Sequence, residues 1–339
     1  MAEPIATFTE MQRMLADLPG PDAAAGAAAA ARERLLTKPA GALGRLEELA
    51  VWLARWQGRH PPDVRRPRTA VFAGNHGVAD RGVSAYPSAV TAEMVRNFAA
   101  GGAAVNQLCT TVDADLRVYE LDLDHPTADM TAGPAMTEEA CARAMAYGMM
   151  AVEQGIDLLA LGEMGIGNTT AAAALSLALF GGEAADWVGP GTGVAGPALA
   201  AKVAAVARAV AVNRDAMTDP FAVLRCVGGF ELAAIAGAVM AARFARTPVL
   251  LDGYAATAAA AVLHAARPDA LDHCRVGHRS TEPGHGRLLA HLGQEPLLDL
   301  GMRLGEGSGA TLAVAVVRAA AACHAGMATF AEAGVSGPA

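Results

Sequence analysis

Residues 156–170, IDLLALGEMGIGNTT, decide the fold class of this chain. An apolar run comes first, three glycines follow within six residues, and Asn-Thr-Thr leads into an alanine-rich segment. Short apolar runs bounded by glycine are typical of buried strands, and Asn or Thr before an apolar segment is typical of a helix start. The stretch therefore predicts a strand, a glycine turn and a helix in succession.

The same unit recurs along the chain. Four other short apolar runs also lead into a polar or glycine-rich cluster and then into a helical pattern. The five predicted strands are Thr69–Ala73, Leu116–Leu121, Ile156–Leu161, Pro248–Leu251 and His273–Val276. Strands that alternate with helices predict an α/β fold with a parallel sheet and helices on both faces. Ligands bind beyond the carboxyl ends of such strands, where this sequence keeps many of its polar residues.

Helical patterns without strands occupy both ends of the chain. Leucines recur at three- and four-residue steps up to Trp56, and the proline-rich HPPDVRRPR (60–68) ends this region. Residues 310–332 are helical again. We therefore expect an N-terminal helical part (1–60), an α/β domain (61–305) and a C-terminal part (306–339) that returns to the first. Both chain ends would then form a smaller helical domain.

Composition limits the classes of partner. The formal net charge is −8 and the basic residues never form a run, which argues against nucleic acid or an anionic membrane. The five cysteines lie far apart without a CxxC pair, as in a cytoplasmic protein with reduced thiols. The most apolar windows are shorter than the roughly 18 residues of a membrane span, and the N-terminus lacks signal-peptide features. We expect a soluble cytoplasmic protein.

Three glycine-rich turns have the composition of an anion site: residues 162–170, residues 189–194 and residues 305–309. Backbone N–H groups can approach a ligand closely at glycine, and a helix N-terminus favours a phosphate. Asn168, Thr169 and Thr170 add side-chain donors, and Lys202 follows the second turn. Ordinary strand-to-helix connections are the alternative. Without a Walker A lysine or an initial GxGxxG, a single phosphate is favoured over a nucleoside triphosphate or NAD.

Two of these turns carry a glutamate directly after a glycine. In a site closed to water, burial raises the pKa of a carboxylate, which makes Glu163 and Glu306 candidates for acid–base chemistry. The alternative is an acid in the first turn of a helix, stabilised by the helix macrodipole. Residue patterns alone leave these two interpretations of Glu306 equal.

Two histidine-containing regions have weaker indications. His273, Cys274, His278 and His285 lack the CxxC or HExxH spacing of zinc sites, so no metal site is predicted. Asn75, His76 and Asp80 follow the first strand, where they either stabilise a loop or line a pocket.

Seven stretches resemble one family in order. They are KPAGALGRLEELA (38–50), GNHGVADRGVSAYP (74–87), VTAEMV (90–95), GEMGIGNTT (162–170), VGGFELAAIAGAVMAA (227–242), PVLLDGY (248–254) and RLGEGSGA (303–310). On these motifs the chain resembles the nicotinate-nucleotide–dimethylbenzimidazole phosphoribosyltransferases of the cobalamin lower-ligand pathway. The resemblance implies a Rossmann-like parallel sheet, a small helical domain from both chain ends, and a homodimer.

The resemblance also implies a reaction. The 5-phosphoribosyl group of nicotinate mononucleotide passes to 5,6-dimethylbenzimidazole with inversion, giving α-ribazole 5′-phosphate and nicotinate. No metal or organic cofactor is implied. Glu306 corresponds to the general base and Glu163 to a second carboxylate near the ribose.

The remaining site residues divide into two groups. The nucleotide and its phosphate are expected at Gly165, Asn168, Thr169, Gly191, Lys202, Gly253 and Ser280. The aromatic base is expected at Tyr86, Met94, Met164 and Leu304.

Some questions stay open at the level of sequence. Ala42 stands where the family pattern KPxGSLG has Ser, which concerns the small domain and leaves the chemistry intact. The acceptor is dimethylbenzimidazole, another benzimidazole or adenine, because a pocket tuned by a methyl group discriminates by only about 1–3 kcal/mol. A nucleotide N-glycosidase and a nucleotide- or benzimidazole-binding regulator are the alternative functions.

Overall fold

A computed structural model describes residues 6–337 of the chain. All five predicted strands are confirmed. They are β1 (Pro67–Ala73), β2 (Asp115–Glu120), β3 (Leu158–Met164), β4 (Val249–Leu251) and β5 (Cys274–Val276). Every pairing is parallel, and the order across the sheet is β2-β1-β3-β4-β5. The predicted α/β fold with a parallel sheet is therefore confirmed.

Helices separate the strands. The first group is α1 (Phe8–Ala16), α2 (Ala23–Glu33), α3 (Arg45–Gln57), α4 (Ala89–Ala99), α5 (Ala104–Thr111), α6 (Glu138–Met149) and α7 (Asn168–Phe180). The second group is α8 (Ala184–Trp187), α9 (Pro197–Asn213), α10 (Pro220–Val227), α11 (Phe230–Phe244), α12 (Tyr254–Ala266), α13 (Pro283–Leu292), α14 (Ser308–Gly326) and α15 (Phe330–Ala333). Short 3-10 turns cover Gly77–Arg81, Arg214–Ala216 and Pro268–Leu271.

Alternate residues of β3 supply the two faces of the sheet. Leu159 and Leu161 belong to the larger apolar core with α6, α7, α11 and α12. Leu158 and Ala160 point the other way and pack with residues of α3 and α14. A strand buried on both faces has to be apolar throughout, which is why this stretch is a continuous apolar run rather than an alternating one.

Small residues let the helices pack closely on the sheet. Gly148 of α6 faces the backbone of Ala234 in α11, and Gly237 of α11 faces the backbone of Met145. A Cβ at either glycine would collide with the opposite main chain. The abundance of alanine and glycine is therefore a packing requirement of these helix pairs, because larger side chains would hold the helix axes apart.

Helices from the two chain ends, α2 and α3 from one and α14 from the other, meet on one face of the sheet. Helix α14 packs against α3 and also against β3 and β4. Arg32 of α2 donates through Nε to the His324 carbonyl at 2.8 Å and through Nη2 to the Met327 carbonyl at 2.9 Å. Helices α2 and α14 thus lie side by side, whereas α1 packs into the larger core on the other face. The boundaries of the small helical domain at residues 60 and 306 stay a prediction.

One apolar helix is longer than the expected limit for the most apolar windows of the sequence. Among residues 6–337, α14 alone is long and apolar enough to cross a membrane by length and composition, with a mean hydropathy of 1.3. Half of that window is buried inside the protein, as in a core helix, so this is weak evidence for a membrane span. All five cysteines are free thiols, and four of them are buried.

The strand order determines where a site can form. The chain leaves β1 toward β2 on one side, and the remaining strands follow on the other, so the topology reverses between β1 and β3. Ligands in open α/β sheets bind beyond the carboxyl ends of the strands at such a reversal. In the register of this pair, Glu163 of β3 lies opposite Phe72 of β1, close to that edge.

Candidate active site

The loop before α14 holds Glu306 in an unusual backbone conformation. Gly305, Glu306 and Gly307 all have left-handed φ angles, of 82°, 63° and 76°. Glycine adopts this region freely, whereas a glutamate there is strained by roughly 1 kcal/mol or more. The glycines on either side of Glu306 are thus explained by the backbone geometry, and the strained residue between them is the one that carries a carboxylate.

Asp252, directly after β4, accepts hydrogen bonds from the backbone of this loop and of the helix that follows it. Its Oδ2 accepts a hydrogen bond from the Gly307 N–H at 3.1 Å, and its Oδ1 accepts one from the Ala310 N–H at 2.9 Å. Asp252 is 1% exposed. It therefore caps the N-terminus of α14 and holds the Glu306 loop against the sheet.

A glycine in β3 permits the close approach of the loop. A Cβ at Gly162 would collide with the backbone of Gly307. The Glu306 N–H also donates to the Glu163 carbonyl at 3.1 Å. Glu163 and Glu306 are thus adjacent because the loop lies directly on the end of β3.

The Glu306 carboxylate is poorly solvated. The residue is 6% exposed, and its Oε2 has no hydrogen-bond partner within residues 6–337. Burial raises the pKa of Glu306 to about 7, with a smaller contribution from the negative charge of Asp252. A carboxylate with a pKa near 7 is suited to accept a proton at neutral pH.

Glu163 lies at the centre of an acidic cluster. Its side chain accepts a hydrogen bond from the Asn168 amide and contacts Gly305. Burial raises the pKa of Glu163 well above its usual value, and the charges of Asp252, Glu231 and Glu306 raise it further. Neither Glu163 nor Glu306 has a Lys, Arg or His partner within 4.0 Å in the described part of the chain. This cluster favours a ligand that carries positive charge.

Two of the four acids do have a histidine neighbour. His76 Nε2 lies 2.6 Å from Glu231 Oε1, and both side chains are buried. His278 Nε2 lies 3.5 Å from Asp252 Oδ1. The two acids without a histidine neighbour in the described chain are thus Glu163 and Glu306, on the side of the cluster where the loop meets β3.

A buried lysine with an unused donor is connected to the acidic cluster through Thr169, the residue after Asn168. Lys202 is 1% exposed, and its Nζ donates to Thr169 Oγ1 at 2.8 Å and to the Gly189 carbonyl at 3.0 Å. An ammonium has three donors, so one remains. A Cβ at Gly191 would lie 2.8 Å from Lys202 Nζ, which shows that the second glycine turn covers the lysine closely. We call Thr169, Gly191 and Lys202 the cradle.

The other residues expected to bind the nucleotide are distributed on two sides. Gly253 packs against His278 and Ser280, and the Ser280 hydroxyl accepts from the Glu282 N–H at 3.3 Å. Glu282 in turn accepts from the Gly191 N–H at 2.8 Å, which joins this pair to the cradle. Gly165 packs instead against Glu231 and the Gly74 carbonyl, and Asn168 contacts Glu163. Gly165 and Asn168 are therefore part of the acidic cluster.

The residues expected around the aromatic base also form two groups. Met94 and Met164 pack in one apolar cluster with Val71 and Phe98. Tyr86 and Leu304 are 55% and 56% exposed. These two lie on loops that flank the site.

Both exposed loops are attached to the turn at residues 189–194. Thr192 Oγ1 lies 2.9 Å from Ser84 Oγ and accepts from the Ala85 N–H at 3.0 Å. Arg303 donates to the Gly191 carbonyl at 3.0 Å. The turn that covers Lys202 is thus bonded to the loop of Tyr86 on one side and to the loop of Leu304 on the other.

Sequence reasoning missed three buried acids. Asp252 and Glu231 lie within stretches that were quoted for the resemblance, and Glu282 follows Ser280, but none was singled out. A signal for Asp252 existed, because it is the first residue after β4 in an α/β protein. Glu231 and Glu282 are recognisable only from the contacts of the folded chain.

The histidine-containing regions have structural roles in this protein. His76 pairs with Glu231, one of the four acids of the cluster, and Asn75 donates to the Leu123 carbonyl at 3.0 Å. His273 faces the Val239 carbonyl at 2.9 Å, and His285 accepts from the Ser280 N–H at 2.9 Å. No group of three or more His, Cys, Asp or Glu side chains in residues 6–337 is arranged to hold a metal ion.

A cleft of about 640 Å³ lies elsewhere, between α2, α3 and the segment leading into β5. Trp52 and Arg275 line it, with the guanidinium 5.1 Å from the ring centroid. None of the acids of the cluster and none of the cradle residues borders this cleft. The chemistry therefore points to the sheet edge rather than to this cavity.

A doubly wound parallel sheet with buried, unpaired acids at the carboxyl ends of its strands defines an α/β enzyme. The sequence matches the family model DBI_PRT, described as phosphoribosyltransferase, over residues 18–335. The chain belongs to this phosphoribosyltransferase family, which confirms the class predicted from the seven motifs.

Relatives and a solved structure agree with this family. Nicotinate-nucleotide–dimethylbenzimidazole phosphoribosyltransferases of Sinorhizobium fredii and Rhizobium meliloti are 61% and 60% identical over 329 residues, with 97% of both chains covered in each comparison. The crystal structure of CobT from Thermus thermophilus matches with a TM-score of 0.87 and 46% identity, over 93% of this chain and 100% of that one.

Proposed function

We propose that this enzyme transfers 5-phosphoribosyl from nicotinate mononucleotide to 5,6-dimethylbenzimidazole, giving α-ribazole 5′-phosphate and nicotinate for the lower ligand of cobalamin. The names of relatives at about 60% identity over 97% of the chain support the substrates. The observation that carries the mechanism is Glu306, a buried carboxylate whose pKa is raised to about 7 and whose Oε2 has no hydrogen-bond partner in the described part of the chain.

Glu306 acts as the general base. One nitrogen of the benzimidazole attacks C1′ of the ribose while Glu306 takes the proton from the other nitrogen. The C1′–N bond to nicotinate breaks in the same displacement, and its electron pair neutralises the pyridinium ring. The configuration at C1′ inverts, and no proton has to be given to the leaving group.

The acidic cluster stabilises the charge that this reaction needs. The nicotinate ring of the substrate is a pyridinium cation, and positive charge also develops on the ribose as the C1′–N bond lengthens. Glu163, adjacent to Glu306, is the carboxylate we assign to the ribose. Burial raises the pKa of Glu163 most, and a bound cation compensates the repulsion from Asp252, Glu231 and Glu306 that raises it further.

The cradle binds the 5′-phosphate. Lys202 supplies a charge and its unused N–H, Gly191 supplies a backbone N–H, and Thr169 supplies a hydroxyl at the start of α7. A helix N-terminus adds partial positive charge. Gly253 and Ser280 extend this site toward α13.

The aromatic acceptor lies between the two groups of apolar residues. Met94 and Met164 form the floor, and Tyr86 and Leu304, which are exposed in the free protein, close on its edges. Methionine side chains adapt to ligands of different outline, which supports breadth toward other benzimidazoles.

One experiment tests the proposal and separates its alternatives. The protein is incubated with nicotinate mononucleotide and a panel of bases that includes dimethylbenzimidazole, benzimidazole and adenine, and products are identified by mass. A transferase gives α-ribazole 5′-phosphate only when a base is present. Release of nicotinate at full rate without a base would indicate an N-glycosidase, and binding without any product would indicate a regulator.

The assembly and location of the enzyme rest on the family resemblance. We infer a homodimer in the cytoplasm, with a small helical domain built from residues 1–60 and 306–339. The displacement described above balances without a metal or an organic cofactor.

A further inference from the structure

Glu282 is a buried acid inside the cradle. It precedes α13, is 5% exposed, and its Oε1 accepts the Gly191 N–H at 2.8 Å. Its Oε2 is also buried and has no hydrogen-bond partner within residues 6–337. This second oxygen lies against Gly189, where a Cβ would collide with it. The carboxylate thus contacts Gly189 and Gly191, two of the three glycines of the turn at 189–194.

Lys202 is the only basic group of the cradle, and it is buried without an ion pair. No carboxylate of the described chain lies within 4.0 Å of its Nζ, which contacts Thr169 and Gly189 instead. Burial lowers the pKa of Lys202 to about 8, and the charge of Glu282 acts in the opposite direction. Glu282 therefore compensates the lysine from a short distance without neutralising it by contact.

This arrangement conflicts with the simplest form of a phosphate site. The Gly191 N–H, a donor that a phosphate oxygen needs, is already used by a carboxylate oxygen. Two anions that share one buried site repel each other strongly, and each raises the cost of ionising the other. A dianionic phosphate and an ionised Glu282 cannot both use this N–H.

We propose that Glu282 is the resident anion of the cradle: its carboxylate occupies the Gly191 N–H in the ligand-free enzyme, and the phosphate of the nucleotide displaces it. The inference rests on the proposed function, which assigns the cradle to the 5′-phosphate. Glu282 is then a specificity-determining residue, since it weakens binding of free inorganic phosphate. A nucleotide gains further contacts at the acidic cluster that inorganic phosphate lacks.

The test is the substitution Glu282→Gln. Glutamine keeps a carbonyl oxygen for the Gly191 N–H but removes the negative charge that competes with the phosphate. We expect the Kd for inorganic phosphate, measured by calorimetry at pH 7.5, to fall at least about tenfold, since like charges a few ångströms apart in a protein interact by well over 1.4 kcal/mol. The KM for nicotinate mononucleotide falls in the same direction. An unchanged or weaker phosphate affinity in a folded Glu282→Gln protein overturns the proposal.

Two further variants complete the design. Glu282→Asp retains the charge but shortens the side chain by one methylene, which releases the Gly191 N–H. It should also tighten phosphate binding, by less than glutamine does, and it serves as the deciding variant where Glu282→Gln does not fold. Glu295→Gln removes one exposed charge on the segment after α13 and should leave phosphate affinity within about twofold of wild type.

The failure of this inference differs from a failure of the proposed function. If wild-type enzyme makes α-ribazole 5′-phosphate but neither Glu282 variant binds phosphate more tightly, only the role of Glu282 is wrong. If wild-type enzyme makes no product and nicotinate mononucleotide does not compete with phosphate, the assignment of the cradle is wrong as well.

Discussion

The substitution Glu306→Gln should make the protein more stable and inactive at the same time. Glutamine keeps the size of the side chain and resembles the protonated acid, so it removes the cost of holding an ionised carboxylate in a buried site. Loss of a general base lowers turnover by at least about 100-fold. Binding of nicotinate mononucleotide should persist, because the cradle is untouched.

The size of the stabilisation follows from the pKa of Glu306. Folding raises this pKa from 4.5 to about 7, and each unit corresponds to about 1.4 kcal/mol. Converting the whole pKa shift gives a stabilisation of about 3 kcal/mol in the free energy of unfolding. Hydration at the mouth of the site reduces this to about 1–3 kcal/mol. For a chain of this length that range corresponds to a rise in Tm of about 1–4 °C.

The sign of the effect depends on pH. Below about pH 4.5, Glu306 is protonated in both the folded and the unfolded chain, and its contribution to stability is fully present. As the pH rises to 7, the unfolded chain releases the proton first, so the wild-type protein loses this stability and Glu306→Gln does not. Thermal unfolding of both proteins at pH 4.5 and pH 8 measures the difference.

The outcome that refutes this reasoning is specific. The gain should appear at pH 8 and vanish at pH 4.5. An equal gain at both values would show a packing effect rather than a charge effect, and no gain at pH 8 would show that the carboxylate is well solvated. Glu295→Gln, which removes an exposed acid, serves as the control and should show neither change.

Three further results follow from the same geometry. The value of kcat/KM should fall about tenfold per unit as the pH drops below about 7, because the base Glu306 becomes protonated; a flat profile between pH 5 and 7 would exclude it as the base. Lys202→Ala should raise the KM for nicotinate mononucleotide and change kcat little; an unchanged KM would remove Lys202 from the phosphate site. Asp252→Asn should shift the acid limb of the pH profile to lower pH, because a neighbouring negative charge that raises the pKa of Glu306 is lost. The same substitution should destabilise the protein by about 1–3 kcal/mol in denaturant titrations, because the Glu306 loop loses a charged hydrogen-bond acceptor. An acid limb at the wild-type position would show that burial alone sets the pKa of Glu306.

The strands and the glycine turns were predictable because their signals are local. The apolar run at 156–161 is continuous because β3 is buried on both faces, and that requirement is visible in the sequence itself. The predicted carboxyl end at Leu161 was wrong, since β3 continues to Met164 and so includes Glu163. The acid that we place near the ribose is thus the penultimate residue of a strand and not part of a loop.

The acidic cluster was not predictable because it depends on strand order. Glu231 and Asp252 approach Glu163 only because α11 packs on β1 and β3, and because β4 pairs with β3. Residue spacing does not reveal either arrangement. The same holds for Glu282, which reaches the Gly191 N–H from 91 residues away in the chain.

Residue type alone also could not show how the base pocket is built. Met94 and Met164 are packed into the core around Val71, whereas Tyr86 and Leu304 are more than half exposed. All four were grouped by the resemblance. The structure separates two packed methionines from two exposed side chains on neighbouring loops.

The turn at residues 189–194 has one more consequence, for the energetics of the two substrates. It covers Lys202 and is also bonded to the loops of Tyr86 and Leu304, through Thr192 and Arg303. Exchange of the Glu282 carboxylate for phosphate at the Gly191 N–H therefore acts on a turn that also contacts the acceptor side. Coupling between two binding sites is reciprocal. A benzimidazole must therefore alter the affinity for the nucleotide by the same factor by which the nucleotide alters the affinity for the benzimidazole. We therefore expect the donor and the acceptor to act as heterotropic effectors of each other.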